Sequence, residues 1–157
     1  MAFADQESPT YADQTDEPLQ SAKGGAELII FETETYTHSA GASTGEINLC
    51  VLPAGKITVF PFLSSVVTTA FASNADLHIG YRAYTEADGD TVVEDDNAFA
   101  DNLDAGGGAL NIVLSATGAL QFDTPSGLHV FGMVDTGNIE DDDTIKLYIA
   151  YKQGWLA

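Results

Sequence analysis

The chain has 157 residues and sets 24 Asp and Glu against 5 Lys and Arg, a formal charge of −19 with neutral histidines. Such a surface repels phosphate, which excludes electrostatic binding to a nucleic-acid backbone, and no apolar run approaches the roughly 20 residues of a membrane helix. One domain's length and a 45% hydrophobic fraction exclude disorder throughout. The amino terminus is acidic and lacks a signal peptide's apolar stretch, and the lone Cys50 permits no internal disulfide. Both features point to a soluble, unsecreted chain made in a reducing cytoplasm.

Residues 1–25 show no apolar period of two or of 3.6, carry Pro9 and Pro18 among several acids, and close on Lys23-Gly24-Gly25. They read as a flexible arm, with residues 26–157 as the folded domain. From Ala26, AELIIFETETYT is β-branched and aromatic, which predicts a long first strand. In the next strand Ile47, Leu49 and Val51 share one face, and Glu46, Asn48 and Cys50 the other, until Pro53-Ala54-Gly55 turns the chain. The following run, KITVFPFLSSVVTTAFA, is too long for one strand, and Pro61 lacks the amide hydrogen of a central ladder position, so an edge, bulge or bend is expected there.

In DLHIGYRAYT, Leu77, Ile79, Tyr81 and Ala83 alternate around Gly80, where a bulge or close backbone approach is expected. Residues 86–108, rich in acids and glycine, predict a long surface loop holding one short helix over 96–103 with Asp96 as its N-cap. Strand periodicity returns in ALNIVLSA, LHVFGMVD and DTIKLYIAYK, most regularly at Ile145, Leu147, Ile149 and Tyr151. Many short strands with Gly, Asn, Asp and Ser turns and almost no helix define an all-β chain. Its expected architecture is an antiparallel two-sheet sandwich, jelly-roll-like, with a small β-barrel as the alternative.

No catalytic constellation stands out. His38, His78 and His129 lack short ligand spacings and read as surface or half-buried histidines, Cys50 reads as a packing thiol, and no G-x-S-x-G elbow occurs. Gly106-Gly107-Gly108 is not followed by the G-K-[ST] of a phosphate loop. Asp88, Asp90, Glu94, Asp95 and Asp96 offer the hard oxygens that Ca2+ selects, outside any EF-hand pattern, and a solvated acidic loop is the plain alternative. The same two readings apply to Glu140-Asp141-Asp142-Asp143 at an expected hairpin tip. Otherwise no cofactor is expected.

The segment Leu52-Pro53-Ala54-Gly55, a hydrophobic strand, Leu77-x-Ile79-Gly80-Tyr81, an acidic loop, then Ala98-Phe99 and Asn102-Leu103-Asp104-Ala105 resembles small virion proteins of tailed bacteriophages, over residues 45–115. That resemblance implies a β-sandwich, commonly trimeric, that decorates or cements the head by binding the major capsid protein on its outer surface. It also implies that Phe99 or Leu103, on the helical stretch, acts as a lid. It supplies no catalytic motif, so the chain is read as a non-enzyme. The alternative is a tail or spike component with glycan-binding loops, for which Trp155 and Tyr11 are the candidate aromatics. A hydrolase with paired carboxylates is a third reading that nothing in the sequence favours.

Within the decoration reading, Phe3, Tyr11 and Leu19 are the arm's candidate capsid anchors. Phe60, Phe62, Phe71, Tyr148 and Trp155 exceed what one core needs, so Phe60, Phe62, Tyr148 and Trp155 become candidates for a homo-oligomer interface. The few bases, Lys23, Lys56, Arg82, Lys146 and Lys152, are expected on the contact face.

Overall fold

The computed structural model describes residues 6–7, 28–72, 74–106, 110–114, 116 and 118–154, with 6–7 and 110–113 as backbone alone. In chain order the strands are β1 (Gln6–Glu7), β2 (Ile29–Glu32), β3 (Tyr36–Thr37), β4 (Ser43–Leu52), β5 (Gly55–Val59), β6 (Ser65–Thr68) and β7 (Asp76–Tyr81). There follow β8 (Tyr84–Thr85), β9 (Thr91–Val92), β10 (Asp95–Asp104), β11 (Leu110–Val113), β12 (Leu120–Thr124), β13 (Leu128–Ile139) and β14 (Thr144–Gln153). One sheet has the order β1-β4-β13-β7-β10. The second runs β11-β6-β14-β5-β12, with β2 and β3 also paired to β14. Neither closes on itself, so the protein is a sandwich and the barrel alternative falls.

Strand β14 organises the second sheet. Ile145–Tyr148 pairs with β6 and Tyr151–Gln153 with β5, while Tyr148–Tyr151 pairs with β2 and Thr144–Ile145 with β3. The overlapping registers put β5 and β6 along one edge of β14 and β2 and β3 along the other. The break between β5 and β6 is the expected bend: Pro61–Leu63 forms a single 3-10 turn with Pro61 at its start. The long first strand is likewise broken. Between β2 and β3 the Thr33 hydroxyl accepts the Leu147 N–H at 3.0 Å while the Thr33 N–H donates to the Leu147 carbonyl, so a side chain replaces a ladder carbonyl.

The inward alternation reads as expected at Ile57, Val59, Leu77, Ile79, Ile145, Leu147 and Ile149, all fully buried in one inter-sheet core. β4 changes phase midway. Cys50 pairs with Val130 but Asn48 with Phe131, so Leu49 is an extra residue. This bulge carries Cys50 and Leu52 into the core beside Ile47 and Leu49, and leaves Val51 outside the core cluster. The expected positions of Cys50 and Val51 are therefore exchanged.

Residues 86–108 depart most from expectation. The hairpin β8–β9 occupies the first part, and the expected helix over 96–103 is instead β10, paired antiparallel with β7. Asp95 aligns with Tyr81, Ala100 with Ile79 and Leu103 with Leu77, an irregular register in which β10 spends more residues than β7. Local propensity loses because β7 offers an open edge and β10 can bury Phe99, Ala100 and Leu103 against it. Phe99, fully buried, and Leu103 are thus core residues and not a lid. Phe71, counted among the surplus aromatics, is also a core residue.

Candidate functional site

Three regions hold the side chains that could meet another molecule. The first is a cleft of about 340 Å³ where the end of β7, the β8–β9 hairpin, the start of β10 and β12 converge. Its walls include Tyr81, Tyr84 and Phe122, with Glu86 and Asp95 among the polar groups. The Tyr81 and Phe122 rings meet edge to face with centroids 5.1 Å apart, and Tyr84 stands 6.1 Å from Tyr81 and 6.3 Å from Phe122. Phe99 supports them from the core, 6.1 Å from Tyr81 and 6.0 Å from Phe122. The hairpin that carries Tyr84 and Glu86 turns through Gly89, at φ +97°, with the Glu86 N–H donating to the Asp90 carbonyl.

β12 was not anticipated, although Leu120, Phe122 and Thr124 alternate between Gly118 and Pro125-Ser126-Gly127. That period-two signal, bounded by turn residues, could have found it.

Burial, with the Glu86 carboxylate, the Tyr81 phenol and Asp123, pushes the Tyr84 hydroxyl up to about 12. Burial and Asp95 raise that of Tyr81. Burial also pushes Tyr36 up to about 12. A phenol whose pKa is higher in the folded chain holds its proton more tightly there. Its contribution to stability is intact below the ordinary value of 10.0 and is lost as pH rises toward the folded value. Stability should therefore fall between pH 10 and 12, and less steeply for Tyr84→Phe, as read by urea midpoints at successive pH values. Parallel curves for the two proteins would refute this assignment.

The second region is the outer face of the five-stranded sheet. Arg82 lies over the Phe131 ring at 4.1 Å from its centroid, donates from Nε and Nη2 to the Asn48 side-chain Oδ1 at 3.1 and 2.9 Å, and pairs through Nη1 with Glu46 and, at 3.2 Å, with Glu94. Further along, the His78 ring lies between two carboxylates, Nδ1 3.1 Å from Asp101 and Nε2 3.1 Å from Asp135. Burial, then Arg82, lowers the pKa of His129 on the same sheet.

The third region is the outer face of the seven-stranded sheet. Lys146 and Lys152 alternate away from the core on β14, and the register of β5 places Lys56 on the same side, since Thr58 aligns with Lys152. Lys146 pairs with Glu32 and lies 5.5 Å from the Tyr148 ring centroid. Leu28 and Ile30 are exposed at the β2 edge, at 50% and 60%, and Phe62 at 44% on the 3-10 turn. Lys56, Lys146 and Lys152 thus share a face, whereas Arg82 belongs to the other sheet, so the expected single basic face holds for three of the four described bases.

The remaining candidates are dispersed. Asp88 and Asp90 sit exposed at the β8–β9 tip, Glu94 pairs with Arg82, Asp95 lines the cleft and Asp96 approaches Gly80. Among the described residues no three His, Cys, Asp or Glu side chains come together as a metal-holding group. At the β13–β14 turn Asp141 accepts the Gly41 N–H, and buried Asp143 accepts the Glu140 N–H and the Thr69 hydroxyl. Those carboxylates hold the turn.

His38 is fully buried, where a surface or half-buried ring was expected. Its Nε2 is 2.9 Å from the Gly41 carbonyl and its Nδ1 2.9 Å from the Tyr36 hydroxyl, so Nε2 carries the proton and Nδ1 accepts. Ser43 Oγ is 3.4 Å from that Nε2 but donates to the same carbonyl, and both residues are buried. The trio fastens the β3–β4 connection. Burial likewise raises the pKa of the Cys50 thiol, which is not a ready nucleophile. Phe3, Tyr11, Leu19, Lys23 and Trp155 lie outside the described residues, as does the Ile112 side chain. Phe60 and Tyr148 are half-buried.

The described residues thus form a two-sheet β-sandwich with open edges and charged outer faces. It is similar to a chain in a solved structure described as a cyanophage Pam1 capsid asymmetric unit, with a TM-score of 0.59 over 87% of this chain and 91% of that chain at 14% identity. No family model matches, and no curated protein matches. At that identity the likeness establishes the fold, and it agrees with the class of protein that residues 45–115 resemble.

Proposed function

We propose that this protein is a head-decoration subunit of a tailed phage, non-enzymatic, which binds the major capsid protein on the outer shell as a homo-oligomer, most simply a trimer. The observation that carries this reading is the extent of the fold likeness, 87% of this chain and 91% of a chain of a phage capsid asymmetric unit. It spans whole domains and not a shared hairpin. Charge distribution supports it. The outer face of the seven-stranded sheet joins Lys56, Lys146 and Lys152 to exposed Leu28 and Ile30, and so offers apolar area with little repulsion. Residues 1–25 would extend that contact, with Phe3, Tyr11 and Leu19 ordering on the shell as anchors. A specific contact of standard size buries ~1,600 Å², enough to hold neighbouring capsomers together against the outward stress of packed DNA. Acids elsewhere would keep decorated heads apart.

Heads stripped of the protein, re-decorated and warmed test the reading. Decorated heads should retain DNA to a higher temperature. The triple variant Lys56→Glu, Lys146→Glu, Lys152→Glu should attach about tenfold or more weakly at low salt, as expected when at least the three contacts of ~0.5–1 kcal/mol each are lost. DNA release at the same temperature with and without the protein would overturn the cementing role.

A further inference from the structure

The cleft between the β8–β9 hairpin and β12 has the chemistry of a cation receptor. Its 340 Å³ lies at the small end of ligand pockets, which run from about 300 to 1,000 Å³, room for one extended side chain and not for an oligosaccharide. Half-buried Tyr81 and Tyr84, backed by the buried Phe122 ring, line it with aromatic groups, and a π face attracts a partly desolvated cation. Glu86 and Asp95 add two carboxylates at the same opening, and neither has a salt-bridge partner among the described residues. Arg82, next in sequence to Tyr81, is committed to the opposite face of the sheet by Glu46, Glu94 and Asn48. Among the described residues no Lys, Arg or His lines the cleft. Burial first, and then Asp95 for Tyr81 and Glu86 for Tyr84, raise the pKa values of the two phenols at this opening.

We infer that this cleft binds the side chain of a lysine or arginine from a partner protein, the aromatic rings flanking its alkyl stem and charged head while Glu86 and Asp95 neutralise it. Charge favours a basic guest, because a cation offsets the two half-exposed carboxylates whereas a neutral guest would only displace water from them. Such a site would add selectivity for a basic residue to whatever larger surface the domain uses, and it does not depend on the shell-binding reading above.

The test titrates N-acetyl-arginine amide and N-acetyl-lysine amide into the free full-length protein while the ring resonances of Tyr81, Tyr84 and Phe122 are followed by NMR. N-acetyl-citrulline amide, the neutral isostere of the arginine probe, and methyl glucoside serve as comparisons. Both basic probes should shift the rings with millimolar affinity, citrulline should bind about tenfold more weakly, and added salt should weaken the basic probes alone. Glu86→Gln with Asp95→Asn should lower arginine affinity about tenfold, the neutral side chains keeping the size and, at Asp95, the oxygen that accepts the Asn97 N–H at 3.3 Å. Asp88→Asn, exposed at the hairpin tip, should leave it unchanged. Equal binding of citrulline, ring shifts with the glucoside alone, no response to any probe, or an unaltered affinity in the double variant would each overturn the inference.

Discussion

Gly80→Ala should destabilise the protein by ~3 kcal/mol, at the upper end of what overpacking costs. A Cβ at this position would stand 1.9 Å from the Asp95 carbonyl oxygen and 2.5 and 2.7 Å from the carbonyl carbon and Cα of Asp96. These are backbone atoms of β10, which cannot rotate aside as a side-chain end can. The methyl must therefore push β10 away from β7 where the two strands change register between Asp95 and Ala100. Gly132→Ala, on the neighbouring strand, is the control. Its Cβ would meet only the terminal carbons of Leu77, Ile79 and Leu49 at 3.4 to 3.6 Å, ordinary contact distances. Fewer unfolded conformations then offset the added crowding, and the variant should match the wild type or gain up to ~1 kcal/mol. Urea midpoints measured side by side decide the matter. Equal midpoints for the two variants would mean that β10 does not press on Gly80.

Phe99→Ala should cost ~3–5 kcal/mol, the range for emptying a fully buried aromatic site. Phe99 touches both sides of the ring cluster, Tyr81 at 6.1 Å and Phe122 at 6.0 Å between centroids, so its loss removes edge-to-face contacts as well as buried area. The contrast is Val93→Ala six residues earlier, where the side chain is 74% exposed and the change should stay within ~0.5 kcal/mol. A surface lid at Phe99 would behave like Val93. Calorimetry distinguishes them, because a drop in Tm for Phe99→Ala no larger than that of Val93→Ala would return Phe99 to the surface. The same truncation should disturb the Tyr81 and Phe122 resonances, since both rings rest against it.

Strands were legible wherever one face meets the core and the other meets water, because that alternation is written into consecutive residues. Ile145, Leu147 and Ile149 against Lys146 and Tyr148 show this in β14, and Leu77 and Ile79 in β7. Proline chemistry was local too, and Pro61 bends the chain where its missing N–H said it would. The Gly80 expectation was also sound, since absence of a side chain within a strand marks a close approach.

The helix expected over 96–103 failed for a reason that no reading of Asp96 to Leu103 alone supplies. Its alanines, asparagines and aspartates have little strand preference, and only the free edge of β7 makes extension pay. The bulge at Leu49 is of the same kind, because it exists as a mismatch with Val130 and Phe131 and not as a property of β4.

By itself the sequence determined the all-β class, the composition of the core and the acidic surface, since each depends on residue type and on spacing along one strand. Tertiary structure decided which faces and clefts exist. Tyr81, Tyr84, Glu86 and Asp95 meet Phe122 because β12 joins the opposite sheet from β7. Lys56 comes to the same sheet face as Lys146 and Lys152 because β5 pairs with the end of β14. Strand pairing joins residues far apart in the chain through backbone hydrogen bonds that carry no mark of side-chain identity, so the neighbours of a residue across a sheet are fixed only when the whole sheet forms.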